Sequence, residues 1–179
     1  VVLNPAQLFA QARDSQRIND LATLTSAISY YLSTSSLAAS ATTWMAPNVV
    51  GNTCNNAVPA NNNFWVTLSG AANPFKTAAG AVSNVAIART VGGAGWVPIN
   101  LTTASGGSPL GILPIDPANT GNFYYAYACN EANKTFELDA MLESTKYQPK
   151  GVNTADGGDG TDGAAGAYTV YEVGTSLTL

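Results

Sequence analysis

Three carboxylates, Asp156, Asp159 and Asp162, stand three residues apart in the glycine-rich run Asp156-Gly157-Gly158-Asp159-Gly160-Thr161-Asp162-Gly163. Hard cations such as calcium take six to eight oxygens, and a loop with few side chains can supply carboxylates and carbonyls with little steric restraint. The spacing does not follow the helix-loop-helix calcium pattern, so a flexible acidic loop is the plainer reading and calcium the one candidate ion. No cofactor is required by anything in the chain. The two cysteines, Cys54 and Cys129, are too few and too far apart for a zinc site. In a chain dressed in Asn, Ser, Thr and Gly, with an extracytoplasmic look, a disulfide between them is expected. Histidine is absent, which removes the commonest general base and the Ser-His and Cys-His nucleophile pairs. No catalytic constellation is visible, and the expectation is a protein that is not an enzyme.

Charge narrows the classes further. Charged residues make up 10% of the chain, against about 25% in an ordinary soluble domain, and the formal net charge is -4. Such a surface lacks the positive field that nucleic-acid binding requires, so nucleic acid is not expected as a main ligand. At 46% hydrophobic the chain is too apolar for a disordered acidic tail. Two Asn-X-Thr triplets, at Asn100 and Asn133, match the N-glycosylation pattern, but that pattern acts only where the modifying machinery exists. The tyrosines Tyr124, Tyr125 and Tyr127 could stack on sugars; alternate aromatics in a strand more often pack a core.

The elements that must position these residues are legible from periodicity. Residues 5 to 33 place Leu8, Ala12, Ile18, Leu21, Leu24, Ile28 and Leu32 at helical spacings, predicting one long N-terminal helix. Asn4-Pro5 suits an N-cap and first helical position, and equally a kink in a helix entering from upstream. Its charges, Arg13, Asp14, Arg17 and Asp20, crowd one stretch. A solvated face is the plainer reading and a contact between subunits the sharper one; on either, Arg17→Glu should barely change the stability of the soluble domain.

Residues 34 to 108 read as a long variable region with strand signals at 64–68 and 82–88. Beyond it, residues 109 to 179 carry a sheet and a C-terminal loop. An aromatic strand at 123–129 is followed by a second at 135–143, whose alternation sets Phe136, Leu138, Ala140 and Leu142 on one face and Glu137, Asp139 and Glu143 mostly on the other. A third strand falls at 168–173. The expected class is α+β, one domain, with the long helix covering an antiparallel sheet.

Two blocks carry a resemblance. The helix run Ala12-Arg13-Asp14-Ser15-Gln16-Arg17-Ile18-Asn19-Asp20-Leu21, continuing to Tyr30-Tyr31-Leu32, resembles the post-membrane helix of bacterial type IV pilin-like proteins and type II secretion major pseudopilins. Pro114-Ile115-Asp116-Pro117, Phe123 to Tyr127, Thr135 to Ala140 and Glu143 are similar to the sheet region of that family. Together the blocks, 12–32 and 109–144, cover about a third of the chain. The resemblance implies a pilin-like fold and a processed apolar segment ahead of Val1, of which Val1-Val2-Leu3 is the tail. That segment would anchor the subunit in the inner membrane before assembly, and is the chain's one expected membrane contact. It further implies a structural subunit of an extracellular filament at the cell surface, packed helically against copies of itself and handled by pilus or secretion assembly machinery. A secretion pseudopilin and an adhesive pilin binding through residues 34 to 108 are the alternatives. Major pseudopilins often hold calcium in a C-terminal loop, which raises the idea for this chain without transferring any residue.

Overall fold

The structure is a computed structural model that describes residues 4–35, 63–71, 74–75, 82–85, 88–130, 133–147 and 170–177. It has the expected α+β class. Helix α1 (Pro5–Thr34) starts on Pro5, whose missing N–H costs nothing at the first helical position. Asn4 caps it, its Oδ1 accepting from the Ala6 N–H at 3.1 Å. At the other end Ser35 leaves the helical conformation while its N–H still donates to the Tyr31 carbonyl at 2.8 Å.

Among the described residues five strands follow: β1 (Asn63–Val66), β2 (Val82–Val85), β3 (Tyr125–Asn130), β4 (Thr135–Ala140) and β5 (Tyr171–Gly174). They form one sheet in the order β2-β1-β3-β4-β5. The four strands β1, β3, β4 and β5 are antiparallel neighbours, with Trp65 opposite Tyr127, Tyr127 opposite Leu138 and Leu138 opposite Val173. Strand β2 departs from the antiparallel expectation, pairing parallel to β1 with Phe64 opposite Ser83. Residues 67–81 connect the two, a length sufficient for a crossover, whereas an antiparallel pair needs only a tight hairpin.

The helix-facing side of the sheet carries Trp65, Tyr125, Tyr127, Cys129, Phe136, Leu138 and Ala140. These pack against Leu21, Leu24, Ala27, Ile28 and Tyr31 of α1, with rings of Trp96 and Tyr125 6.0 Å apart. The opposite face carries Phe64, Val66, Tyr124, Ala126 and Ala128 with Phe75. The three tyrosines are therefore core, as their alternation suggested. Strand β4 is covered on both sides: Glu137 and Asp139 are buried along with Phe136 and Leu138, so it is not the half-solvated strand its alternation implied.

Trp96, Val97, Ile99, Leu101 and Ala104 are buried in the helix-side core, which draws the end of the expected variable region inward. The indole N–H of Trp96 donates to the Pro114 carbonyl at 2.8 Å, and Arg89 Nε donates to the Leu113 carbonyl at 2.7 Å. These bonds fix the irregular segment 88–113 beneath the loop that carries Asp116.

Candidate functional site: a buried charge cluster under the helix

The buried stripe of α1 is Ala10, Asp14, Arg17, Leu21, Leu24, Ala27, Ile28 and Tyr31. Its apolar half follows the expected periodicity. Continued toward the N-terminus at 3.6 residues per turn, the same stripe lands on Arg17, Asp14 and Ala10. Leu8, counted as core from its apolar type, is 49% exposed, and its neighbour Phe9 is 66% exposed. Two of the four charges assigned to a solvated or subunit-facing surface are thus corrected: Asp14 and Arg17 are fully buried inside the fold, while Arg13 and Asp20 are partly exposed.

Arg17 is the centre. Its Nε and Nη2 donate to the two oxygens of Asp116 at 2.6 and 3.0 Å, the bidentate geometry that suits a planar guanidinium. Its Nη1 donates to Asp14 Oδ1 at 2.9 Å, and Nη2 also lies 2.6 Å from Glu143 Oε1. The Phe123 ring closes one face, 4.9 Å from the guanidinium carbon. Burial alone would lower the Arg17 pKa. The hydrogen bonds and charge of Asp116, then those of Glu143 and Asp14, override it and push the pKa up, so the group stays a cation.

Each carboxylate has further partners. Asp14 accepts from the backbone N–H groups of Glu143 and Ser144 at 2.8 and 2.7 Å, pinning the turn after β4 to the helix. Asp116 accepts from the N–H groups of Ala118 and Asn119 at 2.8 and 3.1 Å, within the turn that Pro117 initiates. Asn119 sits at φ 43° and reaches back to β1's end, its Nδ2 donating to the Thr67 carbonyl at 3.1 Å. Glu143 binds Arg13, whose Nε donates to Oε1 at 2.8 Å. The Arg13 hydrogen bond holds the Glu143 carboxyl below the usual carboxylate range; burial opposes it, and Arg17 adds to the lowering.

Asp20, the fourth helix charge, stands apart from Arg17. It accepts from the Tyr125 hydroxyl at 2.8 Å. Burial raises its pKa, and the Tyr125 and Gln16 hydrogen bonds offset that only in part. The same burial, reinforced by Asp20, pushes the Tyr125 hydroxyl up, so it remains a proton donor.

Two guanidiniums and three carboxylates thus tie α1 to the 114–119 loop and the 143–147 turn. Every cluster member is hydrogen-bonded to another member or to backbone N–H, an arrangement that fixes the helix against both segments. Asp116 and Glu143 escaped the sequence reading as partners of Arg17. The usable signal was the helical period itself: in a chain with so few charges, an Arg and an Asp on the core stripe require buried counter-charges.

The other expected sites are distributed differently. Cys129 is buried on β3 and is not a free thiol; its expected partner Cys54 lies outside the described residues. Asp156, Asp159 and Asp162 also lie outside them. Among the described residues no group of three His, Cys, Asp or Glu side chains is arranged to hold a metal ion, the three carboxylates around Arg17 being turned onto its guanidinium, and no helix is long and apolar enough to cross a membrane. Asn100 uses its Oδ1 to accept from Thr102 N–H and Oγ1 at 3.2 and 2.6 Å, capping the short 3-10 turn Leu101–Thr103, while Asn133 is exposed on the β3–β4 hairpin. Comparison with protein-family models, with curated proteins and with solved structures finds no match to this chain.

Proposed function

We propose that the chain is the head of a type IV pilin-like filament subunit, a structural protein without catalysis, whose partners are copies of itself packed through α1. The observation that carries this reading is the division of the helix. From Leu21 to Tyr31 it is buried along the sheet, whereas its first turns present Leu8 and Phe9 to solvent. Ile112 and Tyr30 are also exposed, but singly, whereas Leu8 and Phe9 are neighbours at one end of the helix, and paired apolar side chains there suit a surface covered by another copy of the chain.

The resemblance supplies the rest of the reading, with the filament at the cell surface, the subunit anchored in the inner membrane before assembly, and assembly machinery acting on it. The two blocks that carry the resemblance are also the two that meet in the charge cluster, with Arg13, Asp14 and Arg17 from one and Asp116 and Glu143 from the other. That meeting makes them parts of one structural unit.

The test is deletion of the gene in the source organism, read by electron microscopy with an antibody against this chain. Labelled surface filaments that vanish on deletion support the proposal. Filaments that persist while protein export fails point to a secretion pseudopilin, and loss of neither overturns both.

A further inference from the structure

Helix α1 is held to the head by two different chemistries. Residues 21 to 34 are held by apolar packing: Leu21, Leu24 and Ile28 are fully buried against the sheet and Trp96. Residues 5 to 20 contribute only Ala10, Asp14 and Arg17 to the buried set. Among the described residues, Ile18 is half-buried beside Tyr147, and the remaining ties are polar: Gln7 Oε1 accepts from the Thr145 N–H and hydroxyl, both at 3.1 Å, Arg13 binds Glu143, and Asp20 accepts from Tyr125.

These two regimes respond differently to separation from the head. Exposing leucine and isoleucine to water is unfavourable in proportion to area, with nothing returned. Exposing a buried ion pair restores the hydration that each charge lost on burial, so its net contribution is far smaller than its contacts suggest. Opening the N-terminal half therefore costs much less than opening the C-terminal half. The boundary lies between Asp20 and Leu21, where the stripe changes from charged to apolar.

We propose that residues 5–20 form an arm that opens from the head as one unit, separately from residues 21–34, with the Arg17 cluster as its latch. This inference is independent of filament assembly and holds whether or not the chain polymerises. An opened arm uncovers Phe123 and the Tyr125 hydroxyl and frees the helix segment that carries Leu8 and Phe9.

Native-state amide exchange of the whole chain at neutral pH, resolved by residue, tests it. Amides of residues 10–20 should share one protection level at least about tenfold below that of residues 25–31, with a step between the two blocks. Asp14→Asn should lower the arm block by a further factor of about ten and leave residues 25–31 unchanged. Arg13→Gln, at the half-exposed edge of the cluster, should do the same to a smaller degree if the Asp14 variant does not fold. Ordinary end fraying gives a smooth gradient from residue 8 to residue 31; that result, equal protection in both blocks, or a variant that shifts both blocks together or neither, overturns the proposal.

Discussion

Replacing Arg17 by Met is the sharpest perturbation of the junction between the helix and the rest of the fold. The change removes the cation from among Asp14, Asp116 and Glu143 while keeping an unbranched stem against Phe123. Breaking one side of a buried ion pair is destabilising by about 3 to 5 kcal/mol, mostly because the abandoned charge is left uncompensated. Here the abandoned carboxylates are not bare. Asp14 retains the N–H groups of Glu143 and Ser144, Asp116 retains those of Ala118 and Asn119, and Glu143 retains Arg13. The expected loss is therefore at the lower end, about 3 kcal/mol. For a chain of this size that corresponds to a fall in Tm of roughly 6 to 12 °C. Urea unfolding at neutral pH followed by tryptophan fluorescence measures it, since Trp65 and Trp96 are both buried. Adding Asp116→Asn, which removes one surplus charge and keeps an acceptor for the turn, should recover part of the loss, so the double variant is less destabilised than the sum of the singles. An Arg17→Met protein within about 0.5 kcal/mol of wild type would refute the burial argument, because that is the range of ordinary surface substitutions.

Further outcomes follow from the same geometry. Glu143, with its depressed pKa, contributes stability that is present above the usual carboxylate range and lost as pH falls through its folded value, whereas Asp20, raised by burial, contributes in the opposite sense. Stability should thus decline on acidification below the usual glutamate pKa, with Glu143→Gln flattening that decline and Asp20→Asn steepening it, as read from urea midpoints across pH. Gly95→Ala should destabilise by about 3 kcal/mol, since the added carbon would overlap the Thr90 carbonyl oxygen and the Leu113 side chain, and thermal melting would show it. A Cys54–Cys129 disulfide would close a loop of about 75 residues and stabilise by about 4 kcal/mol; thiol titration of the unreduced, denatured protein should find none free, and two titratable thiols would end the pairing. Calcium held by Asp156, Asp159 or Asp162 should raise Tm in excess calcium over chelator, and coincident melting curves would leave that segment a plain acidic loop.

Local patterns carried most of the fold and little of the cluster. Asn4-Pro5 and the spacing from Leu21 to Leu32 were sufficient for the helix, and the alternation of Thr135 to Ala140 for its strand, because capping and period are properties of neighbours in sequence. The helix face was misread over its first half for a physical reason. Leu8 was placed inside and Arg17 outside by residue type, and type outranks period only where charges have no partner to follow them inward. Those partners are 99 residues away at Asp116 and 129 to 130 residues away at Glu143 and Ser144, beyond any local pattern. The parallel pairing of β2 was equally hidden, since a strand's direction relative to its neighbour depends on the path between them and not on its own four residues.

The separation of the cluster's halves along the chain also sets an order of events during synthesis. At about 5 to 20 residues per second, the ribosome delivers Ser144 roughly 6 to 25 s after Arg17, and the last strand later still. Throughout that interval the new helix has no sheet to cover it. Asp14 and Arg17, its buried charges in the finished fold, are then hydrated groups that interrupt its apolar stripe, which shortens the continuous apolar surface open to other nascent chains. During synthesis the junction is thus closed only after Ser144 has been delivered.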